Sequence, residues 1–172
     1  YPKYRELQYG HADGNQWVAA ECDVSIRPGW FYHPEEDDKV KTVDQLTDLY
    51  YRSVGHNATL LLNFPVDRNG LIHPTDSLNA VSFHLRVQKE LADNLLSSAK
   101  ESASDERGGQ FKVRAVTDGK YDTYWATNDG VTTADLTFTF SQPTKMNRVM
   151  IQEYIPLGQR VKSFVVEYKK GD

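Results

Sequence analysis

The sequence holds one cysteine, Cys22, so it can build neither an internal disulfide framework nor a thiolate zinc cluster, and one cysteine says nothing of compartment. It lacks any apolar run of the about 18 residues that a membrane-spanning helix needs. A starting Met, a charged segment and an apolar segment are all missing at Tyr1, so no signal peptide can be read there. Positive charge is not in excess either: 20 Lys and Arg stand against 24 Asp and Glu, for a formal net charge of -4. With no basic stripe to grip a phosphate backbone, nucleic acid is excluded as an expected partner. What remains is a chain of 172 residues, 39% hydrophobic and 26% charged, in the soluble globular range and able to bury a core. Aromatics make up 12%, with 10 Tyr and 3 Trp, several beside Gly, Pro or charged residues. Flat aromatic faces are one way to bind sugars, although most large aromatics pack in cores.

The pattern of the chain changes near residue 100. Before it, Trp17-Val18-Ala19-Ala20 reads as the end of a strand, Pro28-Gly29 forces a turn, and Phe31 through Asp38 reads as a loop with an aromatic root and an acidic tip. A helix is expected from Thr42, where Thr42 and Gln45 make a capping box and Val43, Leu46, Leu49, Tyr50 and Val54 recur on one face; Gly55 sits where a C-terminal cap belongs. The run Thr59-Leu60-Leu61-Leu62-Asn63-Phe64, stopped by Pro65, predicts a strand buried on both faces. A helix feeding such a strand points to a parallel α/β sheet or barrel. After turn chemistry at Asp67-Arg68-Asn69-Gly70, a second helix is expected from about Asp76 to Leu96, with Leu78, Val81, Leu85, Ala92 and Leu95 at helical spacing.

Ser97 through Gln110 is polar, aperiodic and ends in Gly108-Gly109, as a linker does. Beyond it the period becomes two. Leu136 to Phe140 alternates, Val149 with Ile151 does the same, and Phe164, Val166 and Tyr168 mark a further strand, with turns at Pro143 and at Pro156-Leu157-Gly158. Short strands between such turns predict an antiparallel sandwich.

The segment Trp17-Val18-Ala19-Ala20-Glu21-Cys22-Asp23-Val24-Ser25-Ile26-Arg27-Pro28-Gly29-Trp30-Phe31-Tyr32-His33 resembles a signature of glycoside hydrolase family 29, the α-L-fucosidases. The likeness continues through Leu49 to Gly55 and Asn57 to Pro65, which look like the helix and closing strand of that family's (β/α)8-like barrel. Ala115-Val116-Thr117-Asp118-Gly119-Lys120-Tyr121-Asp122-Thr123-Tyr124-Trp125-Ala126-Thr127 is similar to the opening of discoidin, or coagulation-factor type C, domains, which often follow sugar hydrolases and bind glycans. The resemblance implies an α/β plus all-β chain: residues 1–100 the end of a barrel, 101–110 a linker, and 111–172 the start of a discoidin-like, jelly-roll β-sandwich. Such barrels have further βα units before this point and such sandwiches further strands after it, so a piece of a longer enzyme is expected, secreted or periplasmic, acting on fucosylated oligosaccharides or glycoconjugates and needing no cofactor.

Retaining glycosidases use two carboxyl groups about 5 to 5.5 Å apart. Glu21 and Asp23 invite that reading, because residues i and i+2 of a strand share a face at roughly 6.5 to 7 Å between Cα atoms. The family's nucleophile is an Asp on an earlier strand, which leaves Glu21 as the candidate acid/base, with a structural carboxylate paired to Arg27 as the alternative. By the resemblance, Trp30 matches an aromatic that in the family packs against the fucose ring and its methyl group, with an ordinary core tryptophan as the alternative; Trp17 is read as core. His11, His33 and His56 lack ligand spacing. Asp118, Asp122 and Thr123 offer the hard oxygens of a structural calcium site, against an ordinary Asp-Gly turn. Asn57-Ala58-Thr59 is a glycosylation sequon, discounted because Thr59 opens the expected buried strand. Two functions follow: part of a retaining exo-α-L-fucosidase, or a non-catalytic glycan-binding or adhesion protein acting through the discoidin-like module.

Overall fold

A computed structural model describes residues 6, 10, 11 and 13–169 of the chain, which divides into two units, Tyr1–Ala92 and Asp93–Asp172. The ends named in the domain expectations, Tyr1 and Asp172, lie outside the described residues.

In the first unit, strand β1 (Ala20–Ser25) begins three residues later than the apolar run that announces it, leaving Trp17 exposed instead of in a core. Helix α1 (Val43–Ser53) starts as its sequence requires: Gln45 N–H donates to Thr42 Oγ1 at 3.3 Å, and Thr42 N–H donates back to Gln45 Oε1 at 2.9 Å. It ends differently from the expectation. The helix runs into a 3-10 turn over Val54–His56, and the left-handed residue is Asn57, with φ 63°, not Gly55. Asn tolerates that region because its short amide can bond locally.

Strand β2 (Ala58–Asn63) pairs parallel with β1, in a register that sets Glu21 against Thr59, Asp23 against Leu61 and Ser25 against Asn63. Cys22, Val24, Leu60 and Leu62 are half-buried, whereas Glu21, Asp23, Thr59 and Leu61 are exposed. The expectation of burial on both faces therefore fails: Leu61 is 51% exposed. Parallel strands are buried twice only when layers cover both sides, and here α1 and helix α2 (Pro74–Glu90) cover one. Thr59 is exposed, so burial is not a reason to set the sequon aside.

Helix α2 starts earlier than expected because His73 Nδ1 accepts from Thr75 N–H at 3.4 Å and Pro74 takes the first turn, where its missing N–H costs nothing. It stops at Glu90; Asn94 then caps a separate 3-10 turn over Leu95–Ser98. Leu78, Val81 and Leu85 face outward, while Phe83 packs with Leu49, Leu62 and Phe64 around the buried trio Ile26, Val40 and Leu46. Helical spacing locates a stripe without saying what covers it. Tyr51 ties the two helices together by donating to Glu90 Oε2 at 2.7 Å.

In the second unit the stretch expected as a linker carries strand β3 (Lys100–Ala103), which pairs antiparallel with β4 (Leu136–Thr139). Around them Asp105 accepts from Asn128 N–H at 2.7 Å, its carbonyl accepts from Trp125 Nε1 at 3.1 Å, and Glu106 Oε2 accepts from Val113 N–H at 2.9 Å. Phe111, Tyr124 and Tyr154 form an aromatic column, with Tyr124 and Tyr154 stacked at 4.5 Å. The strands expected at Val149–Ile151 and 164–168 are not formed among the described residues. Alternation supplies a two-sided ribbon, but a strand exists only where a partner takes its hydrogen bonds.

Candidate functional site

Of the residues singled out in the first unit, Trp30 lies at the C-terminal ends of β1 and β2, whereas Glu21 lies near the start of β1. Ile26 N–H donates to the Asn63 carbonyl at 3.0 Å, extending the ladder by one bond. The Asn63 amide then donates to Ser25 Oγ and to the Trp30 carbonyl, both at 3.1 Å. Lys41 Nζ donates to the carbonyls of Ser25 at 2.7 Å and Arg27 at 3.3 Å; its partial burial lowers the ammonium pKa.

Beyond the strand end lies the buried guanidinium of Arg27. Its Nε and Nη2 donate to the two oxygens of Asp76, each at 2.8 Å, in a bidentate pair whose side chains are both 0% exposed. Nη1 sits 2.9 Å from Asp37 Oδ1 and donates to the His33 carbonyl at 3.4 Å, and the Tyr32 ring covers the group at 4.6 Å. Asp76 raises the Arg27 pKa above its ordinary value, burial opposes this and Asp37 adds to it. Tyr32 donates to Asp37 Oδ2 at 3.3 Å, and its phenol pKa is raised, first by desolvation and then by Asp37. One cation thus ties together the end of β1, the loop from Pro28 to Asp37 and the start of α2. That loop presents Trp30, 51% exposed.

Glu21 and Asp23 share the exposed face of β1, as alternation requires. The pairing of Glu21 with Arg27 is corrected: Arg27 binds Asp76 and Asp37, and the strand from Glu21 to Ser25 already spans about 13 Å, beyond side-chain reach. Glu21 is the second residue of its strand, about 13 Å along the chain from Ser25. Sequence reasoning missed Asp76, Asp37, Lys41 and Asn63. Asp76 carried the signal of an acid in the first turn of a helix, but nothing in the sequence pairs it with a residue 49 positions earlier. Asn63 was visible as the lone polar side chain between Leu60 and Phe64.

In the second unit Asp118 accepts from Lys120 N–H at 2.9 Å, and both its oxygens lie within reach of the Thr123 hydroxyl, at 3.0 and 2.8 Å. These donors, the backbone first, hold its carboxyl pKa below the usual range. With Gly119 at φ 73° this is a closed Asp-Gly turn. Calcium takes about six to eight oxygens. Asp118 and Thr123 are bonded to each other and Asp122 is exposed, and among the described residues no three His, Cys, Asp or Glu side chains are grouped to hold a metal.

The first unit is thus a parallel strand–helix–strand–helix arrangement with an aromatic loop clamped at its strand ends, and the second carries an antiparallel strand pair. Residues 98–172 match the family model of the F5/8 type C domain. The chain is 39% identical over 166 residues, 95% of its length, to Alpha-L-fucosidase 1 of Arabidopsis thaliana, of which it covers 32%. Among solved structures it resembles a Ruminococcus gnavus glycoside hydrolase family 29 fucosidase in complex with fucose, with TM-score 0.68 and 35% identity, covering 74% of this chain and 26% of that one. A Bacteroides thetaiotaomicron protein named for the same activity gives TM-score 0.76 and 47% identity, covering 81% of this chain and 30% of that one. The chain spans about a third of the curated relatives it matches, 32% of each. Among the described residues no helix is long and apolar enough to cross a membrane.

Proposed function

We propose that the whole protein is a retaining exo-α-L-fucosidase that releases terminal α-L-fucose from fucosylated glycans, and that this chain supplies one wall of its active site. The observation that carries the proposal is Trp30, half-exposed on a loop clamped to the C-terminal ends of two parallel strands. Ligands of α/β sheets and barrels bind at those ends, and an indole face desolvates the C6 methyl of a deoxysugar. In this reading β1 through α2 are the end of a (β/α)8-like barrel, and residues 93–172 open a discoidin-like sandwich. A substrate of this class accords with a secreted or periplasmic enzyme.

The chemistry is a double displacement. A carboxylate from elsewhere in the protein attacks the anomeric carbon as a carboxylic acid protonates the departing glycosidic oxygen; that second group then takes a proton from the water that releases fucose. Glu21 is the carboxyl the sequence offers for the second role, although it stands near the start of β1, about 13 Å from the strand ends that hold Trp30. The test is hydrolysis of an aryl α-L-fucoside by the whole protein. Trp30→Ala is expected to lower kcat/KM by about tenfold or more, the scale of a lost apolar contact in a pocket. Glu21→Gln is expected to lower it steeply, with azide restoring turnover of substrates that have good leaving groups. Unchanged kinetics in Glu21→Gln removes Glu21 from the site. Sugar binding without turnover by the whole protein replaces the enzyme by a glycan-binding protein acting through residues 98–172.

A further inference from the structure

We propose that Asn63 is a positioning residue for the substrate, its side-chain amide setting the angle at which the Trp30 indole meets the sugar. This rests on the fucosidase reading of the site. Asn63 is the last residue of β2, and its carbonyl is already engaged by Ile26 N–H at 3.0 Å. Its main chain is therefore fixed. The amide nitrogen has two hydrogens, and both have partners, Ser25 Oγ and the Trp30 carbonyl, each at 3.1 Å.

Only Pro28 and Gly29 separate the buried Arg27 from Trp30. Holding the Trp30 carbonyl orients the peptide plane after Trp30 and with it the direction of the Cα–Cβ bond. An apolar side chain would suit the Leu60–Phe64 run as well as Asn does, but it would leave the Trp30 carbonyl unheld.

The experiment is a double-mutant cycle in the whole protein on an aryl α-L-fucoside. Asn63→Ala is expected to raise KM roughly fivefold, the worth of one net hydrogen bond, with kcat nearly unchanged. In a Trp30→Ala background the same change is expected to leave KM where it is, because the indole through which Asn63 acts is gone. An unchanged KM in the single variant, or an equal loss in the Trp30→Ala background, overturns the proposal; a stabilising role alone would give the second result. If the wild-type protein does not turn over the fucoside, the fucosidase reading fails and the positioning claim is decided by acrylamide quenching of Trp30, measured as the difference from Trp30→Phe. A changed quenching constant in Asn63→Ala supports it, and an identical one overturns it.

Discussion

Arg27→Met is the sharpest perturbation this structure offers. Among the described residues it removes the only cation bonded to Asp76 and leaves a wholly buried carboxylate at the start of α2. Breaking a buried ion pair by deleting one partner costs about 3 to 5 kcal/mol, mostly the penalty of the stranded charge. Asp37 adds little to this, since at 35% exposed its carboxylate keeps part of its hydration. Domains of this size have about 5 to 15 kcal/mol in all, so the variant is expected to lose a large fraction of its stability. With a urea slope of about 2 kcal/mol per molar, the midpoint shifts down by roughly 2 M. The assay is equilibrium urea unfolding of Arg27→Met, Asp76→Leu and the double variant. Replacing both members by apolar groups of similar size leaves no stranded charge, so the double variant is expected to recover most of the loss. A single-variant cost under about 1 kcal/mol, or a double-variant cost equal to the sum of the singles, refutes the reasoning.

Asn57 holds a left-handed backbone, φ 63°, so Asn57→Ala is expected to cost about 1 kcal/mol and Asn57→Gly close to nothing, measured by thermal melting. Equal melting of the two variants would show that the turn does not depend on that conformation. Asp118 has its folded carboxyl pKa lowered by Lys120 N–H and then Thr123. Its contribution is therefore present above the unfolded carboxylate pKa and lost as pH falls through the folded one. Between about pH 5 and pH 2 the wild-type melting temperature should drop more than that of Asp118→Asn, which does not titrate; parallel curves would remove Asp118 from the acid transition.

Local features were legible because their causes are local. The Thr42–Gln45 capping box and the Asp67–Gly70 turn each depend on residues within a few positions, and each formed. The likeness of Trp17 to His33 to fucosidases was also legible, and the relatives found carry that name. Where the expectations failed, the deciding atoms came from far along the chain. Among the described residues, Leu61 and Leu78 had the right spacing for burial and no layer above them, and the strands expected at 149–151 and 164–168 had the right alternation and no hydrogen-bonding edge.

The site divides along the same line. Sequence by itself determined the chemistry on offer: an indole after Pro-Gly, two carboxylates on one strand face, an Arg two residues past the strand and an Asn ending an apolar run. The tertiary structure alone decided who holds whom. Arg27 is matched to Asp76 across 49 positions, not to Glu21 six positions away, because the extended strand carries Glu21 about 13 Å from the strand end while the crossover through α1 and β2 brings the first turn of α2 back to it. Partner choice for a buried cation is a matter of distance in space, and sequence separation does not measure it.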